Sequence, residues 1–135
     1  MTSEVVYTGQ LRTQATHLRS GSQIITDAPT DNRGKGEAFS PTDLVATALA
    51  SCMLTIMGIR ALDHGWDIAG TRASVRKIMA SNPRRIARIE IEIFMPSGKS
   101  WTDAQRHTLE EATHTCPVCR SLHPDTEVHV QIHWD

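Results

Sequence analysis

Three cysteines carry the chemical options of this 135-residue chain. Cys116-Pro117-Val118-Cys119 is a Cys-x-x-Cys pattern, a spacing that closes a disulfide or offers two metal ligands. Cys116 precedes Pro117, and proline favours the first helical position, so Cys116 is expected at a helix N-cap. Backbone N–H groups there point at the sulfur and the helix dipole favours a thiolate. His114 and His123 flank the pair, so four ligating side chains fall within about ten residues. Structural zinc sites usually draw ligand pairs from separate segments, and four ligands from one turn region rarely form a tetrahedron. Thiol redox chemistry, a Cys/His metal site and an incidental core pair are the competing readings. A thioredoxin-type site does not fit, because that motif follows a strand in a βαβ unit and this one follows a helix.

Cys52 sits in the middle of the longest apolar run, residues 40–62, SPTDLVATALASCMLTIMGIRAL. Ser40 is a good N-cap, Pro41 suits the first helical position, and Asp43 stands where a capping-box acid would. The run reads as helix to about Leu62, and Asp63, His64 and Gly65 stop it, with Gly65 placed for a left-handed cap. Val45, Ala48, Leu49, Cys52, Ile56 and Ile59 are assigned to one face, and a small, weakly polar stripe runs through Thr47, Ser51, Thr55 and Gly58. A helix this apolar must be covered nearly all round. The small stripe would admit a closely packed helix, such as the same helix of a second subunit. Asp43 and Arg60 bracket a run diluted by Thr and Ser, so a core helix fits better than a membrane span. On this helix alone, Cys52 would be a small hydrophobe and Met53 and Met57 core filling.

The remaining elements follow from periodicity. Residues 4–8, 10–18 and 23–26 read as an antiparallel meander, with a turn at Arg19-Ser20-Gly21-Ser22. Residues 27–39 read as a loop. Residues 71–80 and 85–95 read as a hairpin pair, the second strand with Ile89, Ile91 and Ile93 on one face and Arg88, Glu90 and Glu92 on the other. A helix begins at Thr102-Asp103 with Ala104, Leu109 and Ala112 inward, and is interrupted at Cys116-Pro117. A short helix spans 117–122, and a last strand spans 126–134 with Val128, Val130, Ile132 and Trp134 on one face. The expected order is βββ-α-ββ-αα-β, a single α+β domain over residues 1–135 with antiparallel sheets.

Composition narrows the function classes. The formal net charge is −1 and the basic residues are scattered, so neither nucleic acid nor a membrane surface is indicated as a partner. Apolar residues make up 39% of the chain, low for a small protein standing alone, which points to an oligomer. No basic start followed by an apolar core marks the first 20 residues. With three cysteines and no such signal, a cytoplasmic protein with reduced thiols is expected. His17, His64, His107, His129 and His133 show no ligand spacing. No phosphate-cradling loop, nucleophile elbow or dinucleotide fingerprint is present.

Ser40-Pro41-Thr42-Asp43-Leu44, the small-residue helix reaching Ala50-Ser51-Cys52, and Cys116-Pro117-Val118 together resemble the OsmC/Ohr family, the osmotically inducible and organic hydroperoxide resistance proteins. The resemblance covers nearly the whole chain, including element order and the roughly 60-residue interval between Cys52 and Cys116. It is nearer the OsmC-like branch than Ohr itself. It implies an intertwined homodimer with antiparallel sheets wrapped around long central helices and two sites at the subunit interface. It implies a thiol-dependent peroxidase reducing organic hydroperoxides, with Cys52 peroxidatic and Cys116 resolving. No bound cofactor or metal is implied. An external dithiol reductant, lipoyl-linked in relatives, would restore the thiols.

A thiol buried in an apolar helix is hard to ionise, so a cation is needed near it. The resemblance assigns this to an arginine of the early strands, oriented by a carboxylate near the start of the long helix. Arg12 is the candidate, with Arg19 competing. Asp43 is the candidate carboxylate, although the capping box alone explains an acid there, and Glu37 is the alternative. Met53, Met57 and Ile56 would wall the substrate pocket. Cys119 departs from most relatives and is a possible additional thiol. The other functional expectations are a non-catalytic small-ligand-binding protein on the same fold and the Cys/His metal site at residues 114–123.

Overall fold

Six strands and three α-helices follow one another in a computed structural model that describes residues 1–134. The strands are β1 (Ser3–Gly9), β2 (Arg12–His17), β3 (Gln23–Asp27), β4 (Arg72–Ala80), β5 (Arg85–Phe94) and β6 (Glu127–His133). The helices are α1 (Pro41–Asp63), α2 (Asp103–Thr113) and α3 (Pro117–Ser121), with one 3-10 turn at Thr30–Asn32. The order βββ-α-ββ-αα-β is the one expected. Two compact units divide the chain, Met1–Val45 and Ala46–Asp135.

The first unit is the meander β1-β2-β3 with the loop that follows it. The turn around Arg19-Ser20 sets the β2–β3 register, in which Thr13 opposes Thr26 and Arg12 opposes Asp27. The first hairpin differs from expectation. Gln10 and Leu11 are not strand residues; both have positive φ (54° and 62°) and form the two-residue turn between β1 and β2. Tight hairpins need left-handed backbone at both central positions to match the strand twist, so the turn overrides local propensity. Val5, Ala15 and Ile24 lie in register across the sheet, and Val5 and Ile24 are exposed within this chain.

The start of α1 closes as a reciprocal capping box. Ser40 Oγ accepts the Asp43 N–H at 3.1 Å, and Asp43 Oδ2 accepts the Ser40 N–H at 2.9 Å. This satisfies two backbone donors that the first helical turn cannot pair internally. At the far end Gly65 takes φ 70°, and Trp66 N–H bonds to the Ala61 carbonyl at 2.8 Å while Gly65 N–H bonds to Leu62 at 3.1 Å. This is a Schellman cap.

In the second unit the sheet order is β4-β5-β6. β4 and β5 form the expected antiparallel hairpin, but β6 runs parallel to β5, so this sheet is mixed and the all-antiparallel expectation is corrected. The reason is the connection. α2 and α3 lie between β5 and β6, and a helical crossover returns a strand in the same direction where a tight turn cannot. Ile89, Ile91 and Ile93 are buried as predicted, and they join Leu49, Met53 and Met57 of α1 and Leu109 and Ala112 of α2 in one core.

Two face assignments change. The buried stripe of α1 is Ala46, Leu49, Ala50, Met53, Met57 and Ala61, while Val45, Ala48 and Ile59 are exposed in this chain. A helix apolar nearly all round offers no contrast by which periodicity can choose its inner face. Ala104 is exposed at the start of α2, whereas Leu109 and Ala112 are inside. α1 is long and apolar enough to cross a membrane by length and composition. Its packing against β5 and α2 is that of a core helix. The small stripe of α1 faces outward, and Thr47, Ser51 and Thr55 line a shallow groove of about 460 Å³ with Ala73 and Val75 of β4.

Ile91, in the central strand and 1% exposed, sets the scale of the core contribution. Ile91→Ala is expected to lower the unfolding free energy by about 2–5 kcal/mol, as truncation in a close-packed core leaves a cavity. Urea denaturation checks this, with the midpoint falling and the slope unchanged.

Candidate thiol site

Two cysteines far apart in sequence meet in the second unit. Cys52 lies half-buried on α1, and Cys116 is fully buried at the N-cap of α3. The Cys52 thiol is close enough to Cys116 to act on it as a hydrogen-bond partner and as a neighbouring charge. All three cysteines are free thiols. The elements explain the meeting. α1 holds Cys52 between core residues Leu49 and Met53, and the break at Thr115-Cys116-Pro117 turns the chain so that the Cys116 sulfur packs inward.

The electrostatics of Cys116 differ from the helix-cap expectation. Its Sγ does accept the Cys119 N–H, at 3.5 Å, as an N-cap should. Burial nevertheless pushes its thiol above the ordinary range, helped by the hydrogen bond with Cys52, against the lowering effect of the Cys119 and Val118 N–H groups. Desolvation opposes the charged form, and on a one-turn cap it outweighs the backbone dipoles.

Met53 and Met57 are core filling, almost fully buried, and Ile56 is partly buried against the same cluster. The metal expectation is not supported by placement. Among the described residues no three His, Cys, Asp or Glu side chains converge to hold a metal ion. His123 pairs instead with Asp125 at 3.7 Å. His129 and His133 lie on the polar face of β6 beside Glu127 and Glu92, at 3.4 and 3.2 Å.

A second polar cluster belongs to the first unit. Arg12 donates through one terminal nitrogen to Asp27 at 3.4 Å and to Glu37 at 2.5 Å. Asp27 is 1% exposed and also accepts the Glu37 N–H at 3.0 Å. That backbone bond first, and the Arg12 charge after it, hold the Asp27 carboxyl below the usual carboxylate range, against the cost of desolvation. Arg12 is held firmly charged, chiefly by Glu37. Its Nε is buried and has no protein acceptor among the described residues. Arg19 sits in the exposed turn between β2 and β3. Asp43 serves the α1 capping box. Asp27 is the residue that sequence reasoning missed, although the register that pairs it with Arg12 follows from the turn at Arg19-Ser20.

Asp27 gives a pH prediction. Its folded-state pKa is depressed, so its stabilisation is present above its unfolded value, near 3.9, and is lost as pH falls through the folded value. Asp27→Asn is therefore expected to lower stability at neutral pH and to flatten the acid limb of the stability curve. Thermal melts from about pH 6 down to pH 2 read both effects.

Comparison with known proteins agrees with the fold. The family model for OsmC-like protein matches residues 34–131. A structure from Psychrobacter arcticus 273-4, provisionally described as an osmotic stress induced and detoxification response protein, is 54% identical. It superposes with a TM-score of 0.94 over 98% of this chain and 96% of that one. An organic hydroperoxide resistance protein OsmC from Legionella pneumophila superposes with a TM-score of 0.77 at 12% identity, covering 99% of this chain and 98% of that one. An organic hydroperoxide resistance protein from Elizabethkingia anophelis gives 0.76 at 14% identity, covering 100% and 97%. The last two establish a shared fold. No functionally curated protein matches the sequence.

Proposed function

The chain belongs to the OsmC-like protein family, and on that premise we propose that it is a thiol-dependent peroxidase for organic hydroperoxides. The observation that carries this reading is the contact between Cys52 and Cys116, two unbridged thiols brought together from opposite halves of the chain. A structural core needs no such pairing. A two-thiol peroxidase does.

In the proposed cycle the Cys52 thiolate attacks the outer oxygen of the hydroperoxide. The O–O bond breaks, the alkoxide leaves with a proton as alcohol, and Cys52 becomes a sulfenic acid. The Cys116 thiolate then attacks the Cys52 sulfur, expelling hydroxide that leaves as water, and a Cys52–Cys116 disulfide forms. An external dithiol, of the lipoyl-linked kind, returns both thiols by exchange and is itself oxidised to a disulfide. Ile56, partly buried one turn from Cys52, is the proposed apolar wall for an alkyl or aryl group, backed by the buried core methionines Met53 and Met57.

Arg12 is the proposed cation for the Cys52 thiolate. Its spare Nε donor and its permanent charge suit that role. The carboxylates that orient it are Glu37 and Asp27. Asp43 is the family-implied alternative. A homodimer is also proposed. Its support is the apolar surface this chain leaves open, Val5, Tyr7 and Ile24 on the first sheet and Ile59 and Leu62 on α1.

Steady-state assay with a lipoyl dithiol tests the activity. Cumene hydroperoxide is expected to be turned over with kcat/KM at least about tenfold above that for hydrogen peroxide, the scale of about 1.4 kcal/mol in transition-state binding. Consumption of neither peroxide above the dithiol background would overturn the reading.

A further inference from the structure

Cys119 is not used by this cycle, yet its backbone N–H bonds the Cys116 sulfur at 3.5 Å and its side chain is partly exposed where Cys116 is fully buried. We infer that Cys119 is a third redox thiol that takes over the disulfide from Cys52, giving a Cys116–Cys119 bond and a free Cys52. The inference rests on the peroxidase reading and adds a step to it.

Two features point this way. The first is position. Cys116 and Cys119 stand at i and i+3 across the first turn of α3, where side chains share a face, and this Cys-x-x-Cys spacing closes disulfides readily. The Cys116 sulfur thus neighbours the Cys52 thiol as well as the Cys119 backbone N–H. The second is the leaving group. Attack of a reductant on Cys52 must expel Cys116, whose thiol burial pushes up, and a high-pKa thiolate leaves slowly. Attack on the Cys116 sulfur expels Cys52 instead. Cys119 is the cysteine whose backbone N–H already bonds that sulfur.

The step balances without a further reagent. The Cys119 thiol loses its proton to solvent and its thiolate attacks Cys116. The Cys116–Cys119 bond forms as the Cys52–Cys116 bond breaks, and the electron pair leaves on Cys52 as a thiolate. No net oxidation occurs. Cys52 is thereby returned to its reactive state before the reductant arrives, and the protein stores one oxidising equivalent in a separate pair.

Two measurements on the full chain test this. In the first, reduced protein receives one equivalent of cumene hydroperoxide with no reductant, is alkylated at timed intervals, and its disulfides are mapped by mass spectrometry. Wild type is expected to show Cys52–Cys116 first, then Cys116–Cys119 with Cys52 again alkylated. In Cys119→Ser, reappearance of alkylated Cys52 is expected to slow at least about tenfold. A wild-type Cys52–Cys116 bond that persists while Cys119 stays alkylated overturns the relay and leaves the peroxidase reading intact. The second measurement needs no peroxide. Protein equilibrated in a lipoyl dithiol/disulfide buffer is expected to hold Cys116–Cys119 as the dominant bond. A dominant Cys52–Cys116 bond there overturns the relay independently. Circular dichroism of Cys119→Ser and Cys119→Ala confirms that each variant is folded.

Discussion

Cys52→Ser is expected to lose hydroperoxide turnover by at least about 10³-fold, with the fold intact. The magnitude follows from the chemistry. A serine hydroxyl does not ionise near neutral pH and does not form a stable oxidised intermediate with a peroxide, so removing the sulfur removes the only group that breaks the O–O bond. The structural cost is small. Cys52 is half-buried, and serine differs from cysteine by one atom at a position beside the outward small stripe of α1. A variant that loses activity and keeps its unfolding free energy within about 1 kcal/mol of wild type separates a chemical role from a packing role. Retained turnover in Cys52→Ser would move the reacting sulfur to Cys116 or Cys119.

Cys116→Ser is expected to split the cycle. The first equivalent of peroxide is still consumed, because Cys52 carries out that step. Its sulfenic acid then persists, is trapped by dimedone, and is converted to sulfinic acid by excess peroxide, so steady-state turnover falls on the order of tenfold or more. In wild type the same step has a pH signature. Burial holds the Cys116 thiol above its ordinary range, so below that value the attacking thiolate fraction rises about tenfold per pH unit. Disulfide closure after the peroxide step is therefore expected to accelerate steadily from neutral into alkaline solution. Stopped-flow fluorescence on reduced protein follows this phase separately from peroxide cleavage. A pH-independent second phase would contradict the role given to Cys116.

Much of this architecture was legible in the sequence because single residues mark it. The reciprocal bonds of Ser40 and Asp43, the left-handed Gly65 and the helix start at Thr102-Asp103 each mark a helix end through one side chain or one backbone conformation. Ile89, Ile91 and Ile93 were legible because a half-buried strand alternates. What was not legible depended on partners distant in sequence. The inner face of α1 is chosen by what packs on it. The parallel direction of β6 follows from the path of α2 and α3. The raised Cys116 thiol reflects a burial that a local motif does not contain.

Asp27 is the instructive miss. The resemblance points to Arg12 and to an acid at the start of the long helix, Asp43, with Glu37 of the loop as the alternative; the structure brings Glu37 to Arg12 and leaves Asp43 in the helix cap. The meander already held the answer. A turn at Arg19-Ser20 pairs residue 13 with 26 and residue 12 with 27, so the acid opposite Arg12 follows from register alone. Glu37 joins them because the loop after β3 returns its backbone to the Asp27 carboxylate. The contact of Cys52 with Cys116 was the opposite case. Nothing local predicts it, and only the family resemblance linked the two.

The most direct test of the peroxidase reading uses Cys119→Ser protein, in which only Cys52 and Cys116 remain. One equivalent of cumene hydroperoxide is added to the reduced protein and the products are mapped after rapid acid quench. A stoichiometric Cys52–Cys116 disulfide, formed faster than with hydrogen peroxide, is the predicted result. Two thiols that remain fully alkylatable after the peroxide would contradict it.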